Sequence, residues 1–144
     1  MRVFFTILIL STVFCACAKK PEPNPELNDP VYKIIQEKLA LYEKQLSFNN
    51  KERKTLRKYI DETDPQDPMI TSKRKTHTIN EKERSKAIQQ IQYAKIALEK
   101  RKKEVRIRYL KEFKKGNYDN WQNEDEIASK KARLENNDFL KSEY

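Results

Sequence analysis

Apolar residues in this chain recur in stretches with helical spacing, separated by polar segments that carry proline or asparagine. Val31, Ile35, Leu39, Tyr42 and Leu46 follow one another at steps of 4, 4, 3 and 4, and Ile34, Leu41 and Phe48 widen the stripe. Such steps place side chains on one face of an α-helix, so the spacing predicts an amphipathic helix over 30–48. Asp29-Pro30 marks its start: a carboxylate accepts from the free N–H groups of a first turn, and proline suits the first helical position. Asn49-Asn50 reads as a break, or as a cap for a shorter helix over 51–62 with Leu56, Tyr59 and Ile60 inward. The run DETDPQDP at 61–68 ends that helix, because two prolines in a polar segment do not continue one. Met69 to His77 reads as a basic loop, which makes 63–77 the expected mobile part of the domain.

Order is expected to resume where Thr78 with Glu81, or Asn80 with Glu83, forms a capping box. A long helix over about 80–115 follows, with Ala87, Ile88, Ile91, Ala94, Leu98, Val105, Tyr109 and Phe113 on its buried face. Leu98 and Val105 are one heptad apart, with Arg101 and Lys102 between them. Gly116, the single glycine, stands where a helix C-cap belongs, after Lys114-Lys115 in the last turn. The turn NYDNWQNED, 117–125, carries the only tryptophan, Trp121, read first as packing and second as a contact. A last helix over 123–135 turns Ile127, Ala128, Ala132 and Leu134 inward. Asn136-Asn137 interrupts it, and Phe139, Leu140 and Tyr144 add a closing turn.

Composition agrees with helix. One glycine is too few for the turns and bulges of a strand-rich fold, and a body rich in Lys, Glu, Gln, Leu and Ile has high helix propensity. The expected fold is all-α: a small bundle of three to four helices, one of them long, with no sheet.

The first residues have a different character. Arg2 is the only charge before Lys19, and Val3 to Phe14 is apolar apart from Thr6, Ser11 and Thr12. That run is shorter than the roughly 20 residues a bilayer span requires, and a basic start, short apolar core and small residues at its end describe a secretory signal. Both cysteines lie here. Cys17 follows Phe14-Cys15-Ala16, a loose lipoprotein cleavage motif with the required small residue before the cysteine, whereas Cys15 would follow Phe14, a poor residue at that place. The reading is a signal peptide over 1–16 and a lipidated Cys17, with simple secretion from Lys19 as the other possibility. A disulfide is disfavoured by the geometry of so close a pair. A zinc site lacks ligands, since His77 is the only histidine. No metal and no cofactor are expected. Prolines at 21, 23 and 25 then favour extended backbone, so 17–29 reads as a tether and 30–144 as the helical ectodomain.

Charge adds the candidate chemistry. The chain carries 31 basic and 22 acidic residues, and nearly all the excess lies outside the leader. Lys100, Arg101, Lys102, Lys103, Arg106 and Arg108 form the densest cluster, within KRKKEVR at 100–106 and just beyond it. Residues 3 and 4 apart share a helix face, so Arg101, Arg108 and Lys115 line one ridge and Lys103, Arg106 and Lys114 another. Further basic groups stand at 51–58 and 73–75. Such a surface attracts polyanions. For an exported protein these are sulfated glycans, anionic lipids or acidic proteins, and no nucleic acid partner is expected. Two bland readings compete: a solvated face balanced by Glu99, Glu104 and Glu112, and an intramolecular one in which acidic 119–126 folds back onto the basic helix. Catalysis is not expected. The chain has no Gly-rich phosphate loop and no Gly-x-Ser-x-Gly turn, and His77 reads as an exposed loop residue without a partner.

The leader FFTILILSTVFCACAKK, the proline-rich tether, the scarcity of glycine and the Lys/Asn/Ile/Glu-rich body together resemble the plasmid-encoded surface lipoproteins of Lyme-disease spirochaetes (Borrelia), nearest to the small OrfD-type group. The resemblance covers about 30 residues of leader and is compositional beyond them. It implies a lipid anchor in the outer membrane, an all-helical ectodomain and exposure to the host. Relatives of that kind bind complement regulators, matrix components or plasminogen. No binding residue carries over, since nothing but Cys17 matches a motif. The expectation is an outer-surface interaction protein facing the host; the alternative is a periplasm-facing lipoprotein that pairs a helix with a partner or with itself.

Overall fold

A computed structural model describes residues 19–135. The expected signal peptide over 1–16, Cys17 and the closing turn expected from Phe139, Leu140 and Tyr144 lie outside the described residues. Of these residues 82% are helical, in three α-helices and one short 3-10 turn, with no strand among them. The helices are α1 (Pro30–Glu62), α2 (Pro68–Lys114) and α3 (Glu124–Glu135), preceded by a short 3-10 turn at Pro25–Asn28. The expected all-α bundle with one long helix is what the chain forms.

α1 and α2 make an antiparallel hairpin, about 50 and 70 Å long at the rise of an ideal helix. Both begin with the same device. Asp29 Oδ1 accepts from Tyr32 N at 2.7 Å, Asp67 Oδ1 accepts from Met69 N at 2.7 Å, and each aspartate precedes a proline at the first helical position. The hairpin turn is therefore only Thr63–Asp67, tightened by Asp64 Oδ1 accepting from Gln66 N at 2.9 Å. α2 starts at Pro68, so the expected loop over 69–77 and the capping boxes at Thr78 and Asn80 are replaced by helix. His77 accordingly lies half-buried on α2 rather than exposed in a loop.

Nor does α1 break at Asn49-Asn50. Buried Asn49 occupies the inward face between Ile35 and Leu56. On α2 the inward face steps by 3 and 4 through Ile70, Lys73, His77, Asn80, Arg84, Ala87, Ile91, Ala94, Leu98, Arg101 and Val105, the seam of antiparallel helices crossing at a shallow angle. Its distal half is polar, so the apolar period is invisible there.

The main core lies at the other end. Val31 and Ile35 of α1, Ala94 and Ala97 of α2, and Ile127 and Leu134 of α3 form one buried cluster. Beyond the start of α1, α2 runs on, and Val105 and Tyr109 pack with Trp121. Trp121 meets Tyr109 edge-on at 5.7 Å between ring centres, so it packs, as expected. α2 ends where Gly116 takes φ 86°. Gly116 N donates to Phe113 O and Asn117 N to Glu112 O, both at 3.0 Å, closing the helix with a left-handed cap.

Candidate functional site

The basic cluster of α2 faces this packed base, and the structure divides its members. Arg101 follows Leu98 by 3 and precedes Val105 by 4, so its side chain points into the seam and is 3% exposed. There it grips Asp29, itself 1% exposed, in a two-pronged contact: Nε to Oδ1 at 3.0 Å and Nη2 to Oδ2 at 2.7 Å. Arg101 Nη1 also donates to Glu126 Oε1 of α3 at 2.6 Å. Glu126 takes a second arginine, Arg108, on Oε2, and Lys130 stands 3.3 Å from it and 3.0 Å from Glu104. One arginine thus joins the start of α1, the C-terminal third of α2 and the start of α3.

Arg106 points to the other side and holds the segment before α1. Its Nε meets Glu26 Oε2 at 2.9 Å and its Nη2 meets Glu26 Oε1 at 2.6 Å. Asn24 Oδ1 accepts from the same Nη2 at 3.0 Å, and Glu22 N donates to Tyr109 Oη at 2.8 Å. Gln122 Nε2 reaches Asn28 O at 3.0 Å. The segment read as an extended stand-off tether is therefore docked along α2 from Glu22 to Asp29, with Glu26 buried. The physical reason is charge: a carboxylate on the 3-10 turn Pro25–Asn28 meets a guanidinium whose planar fork matches it.

The ionisation balance follows. Burial works against charge on Arg101, but the hydrogen bonds to Asp29 and Glu126 outweigh it and raise its pKa above the usual arginine value. Burial likewise pushes the Glu126 carboxyl up, and Arg101, Arg108 and Lys130 reverse this, drawing it down to about 2. Glu26 is held below the usual carboxylate value mainly by its hydrogen bond to Arg106.

This geometry divides the six residues of the expected polyanion surface. Arg101, Arg106 and Arg108 are engaged inside the molecule. Lys100 and Lys103 are exposed, and Lys102 is half-buried. The intramolecular reading holds in part: Glu126, from the acidic segment expected to fold back, reaches the basic helix. Sequence reasoning missed Glu26 and the second role of Asp29. The position of Arg101 between Leu98 and Val105 was a readable signal of burial. Among the described residues no group of His, Cys, Asp or Glu is arranged to hold a metal ion, and no helix is long and apolar enough to cross a membrane.

Compared with known protein families, curated proteins and solved structures, the chain matches none.

Proposed function

We propose that this protein is a lipid-anchored interaction protein of the outer membrane, non-catalytic and facing outward, with Cys17 as the lipidated residue. The observation that carries the reading is the leader: Arg2, the short apolar run Val3–Phe14, and Ala16-Cys17 at its end. The fold is compatible with that role. The chain enters the helical body at the base, where Glu22–Asp29 dock, and the hairpin extends from there by the length of α1, about 50 Å. An anchor near the base leaves the hairpin turn as the most distant point, the part a partner meets first. The ligand class expected from charge is a polyanion such as a sulfated glycan, or an acidic host protein.

Intact mass of the protein extracted from its native membrane tests the anchor. The expected mass is that of a chain beginning at Cys17 with three acyl chains. An unmodified chain beginning at Lys19 would replace the reading with a soluble secreted protein. Protease treatment of intact cells then separates the outward orientation, in which the protein is lost, from a periplasm-facing lipoprotein, which is spared.

A further inference from the structure

The distal half of the hairpin carries a second basic group, built differently from the first. Beside the turn, Arg53, Arg57 and Asp61 of α1 and Arg74, His77 and Glu81 of α2 line an open cleft of about 370 Å³. The seam is polar here, which is why cationic side chains from both helices converge on one opening.

Of the two acids in the cleft, Glu81 is firmly engaged and Asp61 only loosely. Glu81 Oε1 accepts from Arg53 Nη1 at 3.0 Å, and its other oxygen stands 3.6 Å from Arg84 Nη1. The Arg53 hydrogen bond is the main reason that the Glu81 carboxyl lies below its usual pKa. Asp61 stands 3.8 Å from Arg57 Nε across one exposed helical turn, a contact too long for a hydrogen bond and of the kind that contributes little. One cationic side chain remains open. Arg74 makes no ion pair or side-chain hydrogen bond among the described residues; only its backbone carbonyl accepts, from Thr78.

We propose that this cleft binds a tetrahedral oxyanion, sulfate or phosphate, with Arg74 and Arg57 as its principal ligands and His77 supplying a further donor. Guanidinium groups suit this chemistry because their paired N–H donors match two oxygens of such an anion. Surplus positive charge comes from Arg74, and from Arg57 once it turns from Asp61 to the anion. The inference goes beyond the surface-protein reading, since the cleft belongs to the hairpin whether or not Cys17 carries lipid. The oxyanion has two sources: a free inorganic ion, or a sulfate ester on a glycan chain.

His77 makes the test direct, because it is the only histidine in the chain and its ring protons give one assignable set of NMR signals. The full-length mature chain is titrated with sodium sulfate, and separately with sodium chloride at equal ionic strength. The expected result is a saturable movement of the His77 signals with sulfate and none with chloride. Arg57→Gln with Arg74→Gln, both on exposed positions, should weaken sulfate binding at least tenfold while the helical circular dichroism is unchanged. Lys111→Gln with Lys114→Gln, which removes equal charge at the far end of α2, should leave binding as it was. Movement of His77 that is the same in chloride, or binding undiminished in the Arg57/Arg74 variant, overturns the proposal. A heparin-derived tetrasaccharide distinguishes the sources: at least tenfold tighter binding than inorganic sulfate through the same arginines assigns the site to a glycan ester, and equal affinity assigns it to the free ion.

Discussion

The base and the tip of the hairpin use the same two helices to opposite ends. At the base, α1 and α2 are flanked by α3 on one side and the docked Glu22–Asp29 segment on the other, and the charged residues within are matched: Arg101 with Asp29 and Glu126, Arg106 with Glu26. At the tip only two helices meet, and the seam carries Asn49, Arg53 and Asn80, each with a buried nitrogen or oxygen lacking a partner. Burial of a polar group is tolerated when its hydrogen bonds are complete and costly when they are not. The base thus has its polar groups satisfied and serves architecture, while the tip keeps hydrogen-bonding capacity in reserve and is where ligand chemistry is to be sought.

The sharpest way to break this comparison is Arg101→Ala. It strands Asp29 without its partner in a buried site, and removing one member of a buried pair costs about 3–5 kcal/mol. Urea denaturation should show a loss in that range; a loss below about 1 kcal/mol would mean that the base is not held by the pair. Packing gives the next effect. Leu134→Ala, in the main cluster, should cost about 3 kcal/mol, and Leu56→Ala, between two helices able to close on the gap, about 2 kcal/mol. Equal losses would erase the distinction between a layered base and a thin tip.

Acid probes the base through charge. The Glu126 carboxyl lies at about 2 when folded, against an ordinary 4.5, so folding favours its ionised form. Its contribution is fully present above about pH 4.5 and fades as pH falls toward 2, on the order of 3 kcal/mol in all. Glu26, also lowered, acts in the same direction. Urea midpoints at pH 7, 4 and 2.5 should fall in that order, and Glu126→Gln should flatten the slope. The smallest effect has the opposite sign. Asn49→Leu removes an unpaired buried amide from the seam and should stabilise the chain by about 1 kcal/mol; destabilisation would show that Asn49 is satisfied in solution.

How far the residues announce this arrangement depends on what occupies the seam. Asp29-Pro30, Gly116 after Lys114-Lys115, and the apolar steps from Ala87 to Val105 each mark an element by its own chemistry, and each is where the spacing predicts. The first turns of α2 were hidden because Lys73, His77, Asn80 and Arg84 hold inward positions, leaving no apolar period to read. Asn49 concealed the continuity of α1 in the same way. Asp67-Pro68 repeats the start signal of Asp29-Pro30, but within DETDPQDP its proline reads equally as a terminator. Arg101 reads as a surface residue because arginine usually lies there, although its place between Leu98 and Val105 points inward. Nothing local foretold the docking of Glu26, since a carboxylate in a proline-rich segment reveals its partner only when Arg106, 80 positions later, is brought alongside.

That separation has a temporal consequence. The cross-hairpin contact of Asn80 with Glu52 spans 28 positions, whereas Arg101 reaches Asp29 across 72 and Tyr109 meets Glu22 across 87. Chain closure becomes less favourable as the loop lengthens, and local contacts form first. On a growing chain the weaker end of the molecule can zip as soon as the first half of α2 has emerged. The stronger end must wait for Arg101, Arg106 and finally Glu126. Pulse-labelled hydrogen exchange during refolding should therefore protect amides around 50–84 before those around 94–109. The least stable region would be the earliest to fold, and the most stable region would act as the latch that closes last.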